Sequence, residues 1–298
     1  MTDRRHLIAA LSAGLMSACS PLGAYNALTP RAPGIRRAAR AVAYGTGPRQ
    51  ALDVYLPRQP AADPPVMVFF YGGGWEDGAR ADYAFAGRAF ASRGFVTLVP
   101  DYRRRQEAPY PAFLQDCAAA VAWAQRHAAE YGGDGRKVVL CGHSAGAYNA
   151  AMLALDGRWL AQAGAPHPIA GWAGLAGPYD FLPLSPGAAQ RTFGGEADLN
   201  ATQPIRHASA GAAPAFLATG GKDQVVKPGN SVRLGRALAG LGVPVETRIY
   251  PALGHAELVL ALAWPVSLRA PVLREASDFL LAAANGAPPD TSARPPGA

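Results

Sequence analysis

The stretch KVVLCGHSAGAYNAAMLAL, Lys137–Leu155, changes from one secondary-structure pattern to another within a few residues. KVVLCG is apolar after its lysine, as expected for a buried strand, and AGAYNAAMLAL is rich in helix-forming alanine and leucine. Between them, Gly142 and Gly146 flank Ser144 in the pattern G-x-S-x-G. This pattern predicts a tight strand-to-helix turn that lifts the serine hydroxyl clear of a sheet. A plain helix N-cap is the alternative.

The rest of the chain repeats this alternation of strand and helix. A predicted hairpin precedes apolar runs that are continuous rather than alternating, as strands buried on both faces require. Helical segments are predicted at 81–92, 111–131, 145–155 and 230–241. The pattern indicates an α/β fold, with a mostly parallel, eight-stranded, doubly wound sheet and helices on both faces. Residues 178–214, rich in Pro, Gly and Ala, are expected to form at most a small cap. The predicted strands are RAVAYG, ALDVYLP, VMVFFY, FVTLVP, KVVLCG, IAGWAGLAG, AFLATGG and VETRIYP.

The net charge of +7 does not indicate a nucleic-acid partner, because it is concentrated at one end of the chain. Residues 1–40 hold six Arg and one Asp, so the other 258 residues carry only two net positive charges. No RNA-binding or zinc-finger signature is present. No C-x-x-C motif or histidine cluster indicates a metal site, and no cofactor is implied.

Residues 1–19 have the layout of an export signal. Arg4 and Arg5 precede an apolar run from Leu7 to Ala18, which is too short to span a bilayer. LMSAC resembles a lipobox that ends in a lipidated cysteine, Cys19, although Met16 stands where Leu is usual. An ordinary amphipathic helix is the alternative. We therefore expect an exported protein, either free in the periplasm or anchored to a membrane as a lipoprotein.

The remaining chain is expected to hold one folded domain, residues 41–284. Residues 20–40 are predicted to be a linker, and residues 285–298, NGAPPDTSARPPGA, a disordered tail. Cys117 and Cys141 could pair if the protein is exported. Two cysteines in a chain of this length are more often small buried side chains.

A serine hydroxyl needs a base, and the base needs an orienting acid. In folds where the serine lies on a strand-to-helix turn of this kind, the three residues occur along the chain in the order serine, acid, histidine. His255 in YPALGHAE follows a predicted strand and is the only histidine after Asp223. Asp223 follows the strand AFLATGG and is the expected acid. Asp180, which also follows a strand, is its rival.

The stretch VMVFFYGGGW predicts a second part of the same site. Acyl transfer develops a negative charge on an oxygen, and backbone N–H groups that point at this oxygen stabilise it. One expected donor is Ala145, the residue after the serine. The others are Gly73 and Gly74, because lipases and esterases carry H-G-G-G at the corresponding loop. Tyr71 stands in the place of the histidine, and its phenol is a candidate to brace the loop.

Five motifs together resemble one known family. FFYGGGW, VPDYRR, GHSAG, GGKDQVV and LGHAE occur in the order and spacing of the α/β-hydrolase fold. From about residue 41 to 284 the chain is similar to bacterial carboxylesterases, in the branch with hormone-sensitive-lipase-like esterases and kynurenine formamidase. The resemblance implies Ser144 as nucleophile, His255 as base and Asp223 as orienting acid. It implies three oxyanion-hole donors, Gly73, Gly74 and Ala145. Aromatic residues beside the motifs are candidates for the substrate pocket, namely Trp75, His143 and Tyr179, with Tyr102 and Phe181.

The sequence thus predicts a serine hydrolase that cleaves small carboxylic esters through an acyl-enzyme on Ser144. Two alternatives stay open: an amidase or arylformamidase with the same triad, and a binding protein of this fold without catalysis. The expected partner is a small-molecule ester, with no nucleic acid. Membrane anchoring would depend on a lipid at Cys19. The oligomeric state is left open.

Overall fold

The computed structural model describes residues 21–30 and 34–287, and they contain one eight-stranded sheet. The strand order is β1-β2-β4-β3-β5-β6-β7-β8. β1 and β2 pair antiparallel, as do β2 and β4, and all other pairs are parallel. This confirms the predicted mostly parallel sheet. The strands are β1 (Arg36–Ala43), β2 (Ala51–Leu56), β3 (Pro65–Phe70), β4 (Val96–Pro100), β5 (Asp134–His143), β6 (Gly171–Leu175), β7 (Ala215–Gly220) and β8 (Val245–Tyr250).

Helices cover both faces of the sheet. Every residue of β3, β4, β6 and β7 is buried, and because side chains alternate between faces along a strand, neither face is open to water there. The α-helices are α1 (Pro21–Leu28), α2 (Ala84–Ser92), α3 (Ala112–His127), α4 (Ala145–Leu155), α5 (Arg158–Gln162), α6 (Ala188–Phe193), α7 (Gly229–Gly240), α8 (His255–Leu260) and α9 (Val272–Ala284). Short 3-10 helices lie at Arg80–Tyr83, Ala128–Tyr131, Asn200–Thr202, Pro204–His207 and Val266–Leu268.

The folded domain begins earlier than predicted, because residues 20–40 are not simply a linker. They contain α1 and the first part of β1, which starts at Arg36. The ring of Tyr25 in α1 packs edge-on against Phe85, at 5.2 Å between ring centroids. Its hydroxyl donates to the carbonyl oxygens of Leu260 and Ala263, each at 2.9 Å. These contacts fix α1 on the domain. The predicted export signal, Cys19 and residues 288–298 lie outside the described residues.

The segment 178–214 forms the small cap that the sequence predicted. It contains α6 and two of the short 3-10 helices. Phe193, the last residue of α6, is fully buried and packs edge-on against Trp75, with 4.9 Å between the ring centroids. The cap therefore rests on the loop that follows β3.

Three further observations concern the described part of the chain. None of its helices has the length and apolar character needed to cross a membrane. It contains no group of three or more His, Cys, Asp or Glu side chains that could hold a metal ion. Cys117 and Cys141 are both buried and free, so they form no disulfide with each other.

Candidate active site

Ser144 lies on a strained turn between β5 and α4. Its φ and ψ are 55° and −121°, a conformation that residues with a side chain rarely adopt. A Cβ at Gly142 would lie 2.1 Å from the carbonyl oxygen of Gly146. A Cβ at Gly146 would lie 2.1 Å from the carbonyl oxygen of Phe70. Both glycines of G-x-S-x-G are therefore required for the strand and helix to pass so closely.

The structure brings Ser144, His255 and Asp223 together. The Oγ of Ser144 lies 2.9 Å from Nε2 of His255, and Nδ1 of His255 lies 2.8 Å from Oδ2 of Asp223. Because the carboxylate accepts a hydrogen bond from Nδ1–H, Nε2 is left free to accept the serine proton. The three residues follow the ends of β5, β7 and β8. The three side chains thus meet because the strands before them end at the same edge of the sheet.

Asp223 stays ionised although it is almost fully buried. Its other oxygen, Oδ1, accepts hydrogen bonds from the backbone N–H groups of Val225 and Val226, each at 2.9 Å. Burial alone raises the pKa of Asp223. The hydrogen bond and charge of His255, together with the two amides, outweigh burial and bring the pKa below its ordinary value. A fixed negative charge therefore faces His255.

Asp180, the rival acid, has a different partner. Its Oδ2 lies 2.5 Å from Nε of Arg233 in α7, and its backbone N–H donates to Asn230. It makes no contact with His255 among the hydrogen bonds and ion pairs of the described residues. The structure thus separates the two candidates that the sequence left open.

The glycine loop, which we define as residues 71–78, runs directly against Ser144. A Cβ at Gly72 would lie 3.1 Å from the Cβ of Ser144. Gly73 and Gly74 have φ values of 135° and 61°. Within the described chain, their N–H groups and that of Ala145 have no hydrogen-bond partner. These free amides are suitable donors to an oxyanion, and glycine is needed because the backbone itself faces the site.

A cavity of about 540 Å³ opens beside these groups. Ser144, Ala145 and Gly74 lie on its wall, next to Trp75. The surrounding side chains are mostly apolar, and they come from the cap and from the segment after Asp223. They include Phe181, Leu182, Pro183, Ala188, Val225 and Val226, with the polar Ser185, Lys227, Asn230 and Arg233. The site can therefore hold a small apolar group against the serine.

Of the five candidates for the substrate pocket, Trp75 and Phe181 line this cavity, whereas the ring of Tyr102 stacks on Tyr71 and does not line it. His143 is buried beneath the turn, and its Nε2 donates to the backbone oxygen of His255 at 3.1 Å. Burial, and then the neighbouring His255, lower the pKa of His143 to about 3, so it stays neutral. Tyr179 is fully buried against Trp172 and fills the space that Gly174 leaves. Both predictions are corrected: these rings support the site from below.

Sequence reasoning missed several groups that line or support the site. Val225 and Val226 line the cavity, and a signal for them was present as an apolar pair that begins two residues after the acid. Asn230 lines it from α7 while accepting hydrogen bonds from the N–H groups of Tyr179 and Asp180. No local pattern marks an asparagine in this role, because its partners lie about fifty residues away.

The sheet order, the serine on its strand-to-helix turn and the histidine and aspartate at later strand ends define the α/β-hydrolase class. The family model described as BD-FAE matches residues 52–238, more than half of the chain, and the chain belongs to this family. The matched span contains Ser144 and Asp223 and ends before His255.

Known proteins support this assignment. The chain is 28% identical over 244 residues to a probable isoprenylcysteine alpha-carbonyl methylesterase of Arabidopsis thaliana, a match covering 74% of this chain and 51% of that protein. It thus spans about half the length of this plant relative. It is 31% identical over 231 residues to esterase LipI of Mycobacterium tuberculosis, covering 67% and 69% of the two chains. Among solved structures, esterase B from Lactobacillus rhamnosis shares the fold, with a TM-score of 0.77 and 21% identity over 94% and 97% of the two chains.

Proposed function

We propose that this protein hydrolyses small carboxylic esters through a covalent acyl-enzyme on Ser144. The observation that carries the proposal is the continuous series of contacts from Ser144 through His255 to Asp223, at 2.9 and 2.8 Å, beside an apolar cavity. The esterase names of the relatives above agree with this reaction.

The first half of the reaction forms the acyl-enzyme. The Oγ of Ser144 attacks the ester carbonyl carbon while Nε2 of His255 takes the hydroxyl proton. The negative charge on the carbonyl oxygen of the tetrahedral intermediate is stabilised by the free N–H groups of Gly73, Gly74 and Ala145. His255 then gives its proton to the alkoxy oxygen, the carbon–oxygen bond breaks, and the alcohol leaves.

The second half returns the enzyme to its starting state. A water molecule attacks the acyl carbon, and His255 takes a proton from that water. The second tetrahedral intermediate collapses, Ser144 recovers its proton from His255, and the carboxylic acid leaves. Asp223 keeps its charge throughout and stabilises the imidazolium each time it forms.

Steady-state hydrolysis of paired substrates tests the proposal. We expect the wild type to hydrolyse p-nitrophenyl acetate and butyrate faster than the p-nitroanilides of the same acyl groups. Ser144→Ala should lower kcat by about 10⁴ or more. Ser185→Ala, a second serine on the cavity wall, is the matched control and should keep kcat. Wild-type protein that cleaves only the anilides, or neither substrate, would contradict the proposal.

We also propose that residues 1–19 direct export and that Cys19 carries a lipid. The support lies in the sequence: Arg4 and Arg5, the apolar run after them, and LMSAC before Pro21. Cell fractionation tests this, because the native protein should sediment with membranes and Cys19→Ser should release it or halt its processing. A wild-type protein found entirely in the periplasm would contradict lipidation of Cys19 but not export. One found entirely in the cytoplasm would contradict both.

A further inference from the structure

We infer that Arg49, in the turn between β1 and β2, is a positioning residue that holds the glycine loop in the shape an oxyanion hole requires. This inference rests on the proposed esterase function. Arg49 does not line the cavity and touches no reacting atom in the arrangement described above. Its effect would pass through the backbone of the loop.

The guanidinium of Arg49 connects the first and last residues of the glycine loop. Its Nη2 donates to the phenol oxygen of Tyr71 at 2.6 Å and to the carbonyl oxygen of Gly78 at 3.0 Å. Its Nε donates to the carbonyl oxygen of Tyr102 at 2.9 Å. One planar group thus fixes three points on two loops, and two of these points bracket the glycines.

Tyr71 is a rigid partner for this guanidinium. Its ring is fully buried and stacks on Tyr102 with 4.5 Å between centroids. The hydroxyl of Tyr102 in turn donates to the carbonyl oxygen of Tyr71 at 2.6 Å. Gly78 lies against the same ring, since a Cβ there would come within 2.8 Å of Cδ2 of Tyr71. Tyr71 and Gly78, the two ends of the glycine loop, are thus packed against each other and share one guanidinium.

The carboxylates around Arg49 have other cations beside them. Asp101 lies 3.5 Å from Nη2 of Arg49 and also pairs with Arg80. Glu107 lies 3.3 Å from Nε and also pairs with Arg104. Removal of Arg49 would therefore leave each carboxylate with another partner. Tyr71 and Gly78 would lose a donor.

The free amides of Gly73 and Gly74 lie inside the segment that Arg49 closes. Their value to the reaction depends on where they point, because a misplacement of about 1 Å can cost on the order of 10²-fold in rate. A lysine at position 49 keeps the charge but cannot supply the planar fork that reaches three acceptors at once. Arg49 therefore acts on the loop through its geometry as well as its charge.

Arg49→Met and Arg49→Lys test the inference, with Arg103→Met as the matched control. Arg103 makes a hydrogen-bonded ion pair with the buried Asp116 nearby, and it makes no hydrogen bond to the glycine loop among the described contacts. We expect both Arg49 variants to lower kcat by about 10- to 10²-fold, with KM changed less than about threefold. Affinity for a trifluoromethyl ketone, which forms an oxyanion on Ser144, should fall by the same factor. Arg103→Met should keep kcat and ketone affinity even if its melting temperature falls.

Tyr71→Phe covers the case in which an Arg49 variant does not fold. It removes only the phenol oxygen and should also lower kcat. Because Arg49 and Tyr71 act through one hydrogen bond, the double variant Arg49→Lys, Tyr71→Phe should lose less kcat than the two single losses combined. Equal kcat losses in the Arg49 and Arg103 variants would overturn the inference. So would an Arg49 variant that changes only KM. Failure of the wild type to hydrolyse any ester would instead remove the proposed function, so the two failures can be told apart.

Discussion

Asp223 accepts hydrogen bonds on both of its oxygens while almost fully buried. Asp223→Asn would place an amide opposite Nδ1 of His255 and favour the wrong imidazole tautomer. We expect kcat to fall by about 10⁴ with the fold retained. Asp180→Asn is the matched control, because that carboxylate pairs with Arg233. If kcat falls in Asp180→Asn and not in Asp223→Asn, Asp180 rather than Asp223 is the acid that orients His255.

Gly73 and Gly94 provide a second test at the scale of single residues. A Cβ at Gly73 would lie 2.2 Å from the carbonyl oxygen of Asp77, so Gly73→Ala must move the glycine loop. We expect kcat to fall by about 10² to 10³, with some loss of stability. Gly94 has a φ of 101° and open space around it, so Gly94→Ala measures backbone strain alone. Equal kcat values in the two variants would show that the loop supplies no donor.

His143 predicts a dependence of stability on pH. Its pKa of about 3 in the folded protein lies below the ordinary value near 6.5, so the unfolded chain binds the extra proton between these values. The free energy of unfolding should therefore fall as the pH is lowered through this window, by about 1.4 kcal/mol per pH unit from this group. Urea unfolding at pH 6.5 and 5 measures it. His143→Gln keeps an N–H donor and should lose about 2 kcal/mol less over this interval. Identical pH dependence in both proteins would contradict the buried, neutral histidine.

At this scale the sequence predicted which residues lie together better than it predicted side-chain direction. Ser144, His255 and Asp223 each follow a predicted strand in a known order, and the structure places them in contact. His143 and Tyr179 were assigned to the pocket because they flank these motifs. Yet His143 points under the turn, where its neighbour Ser144 points out. Neighbouring side chains at a strand end point in opposite directions, and the motif alone does not show which of them points into the pocket.

At the scale of elements, the parallel strands were predictable because burial on both faces requires continuous apolar runs. Helix α1 was not. PLGAYNAL has no charge pattern, and Tyr25 finds its hydrogen-bond partners 235 residues away, at Leu260 and beyond. The hydrogen bond from Arg49 to Tyr71 was not predictable for the same reason, because it joins the turn between β1 and β2, at one side of the sheet, to the loop after the central strand β3.

The cap helix α6 is joined to the glycine loop by an exposed ion pair. Nε and Nη2 of Arg191 lie 2.6 and 2.7 Å from the two oxygens of Glu76. Since α6 contributes Ala188 and Ala189 to the cavity wall, Arg191→Ala should loosen substrate binding. An exposed pair contributes up to about 1 kcal/mol, so we expect KM to rise by about two- to fivefold with kcat unchanged. Steady-state kinetics measures this. Arg93→Ala breaks the surface pair with Asp278 and is the control. A larger rise of KM in Arg93→Ala than in Arg191→Ala would show that the ion pair of α6 does not contribute to substrate binding.

At the scale of the whole molecule, the order of the strands explains why three distant residues meet. β5, β7 and β8 are parallel, so the segments after them emerge at one edge of the sheet, where Ser144, Asp223 and His255 lie. The alternation of strands and helices was enough to predict this edge. The width of the cavity was not predictable, because it depends on how the cap packs on Trp75.

Trapping of the acyl-enzyme tests the central claim most directly. The wild type would be mixed rapidly with p-nitrophenyl butyrate, quenched in acid within the first turnover, digested and analysed by peptide mass spectrometry. The proposed function predicts one butyryl group per chain, on Ser144, formed together with a burst of p-nitrophenol. Ser144→Ala should show neither the burst nor the adduct. A butyryl group on another residue, or hydrolysis that continues at the wild-type rate in Ser144→Ala, would contradict the account.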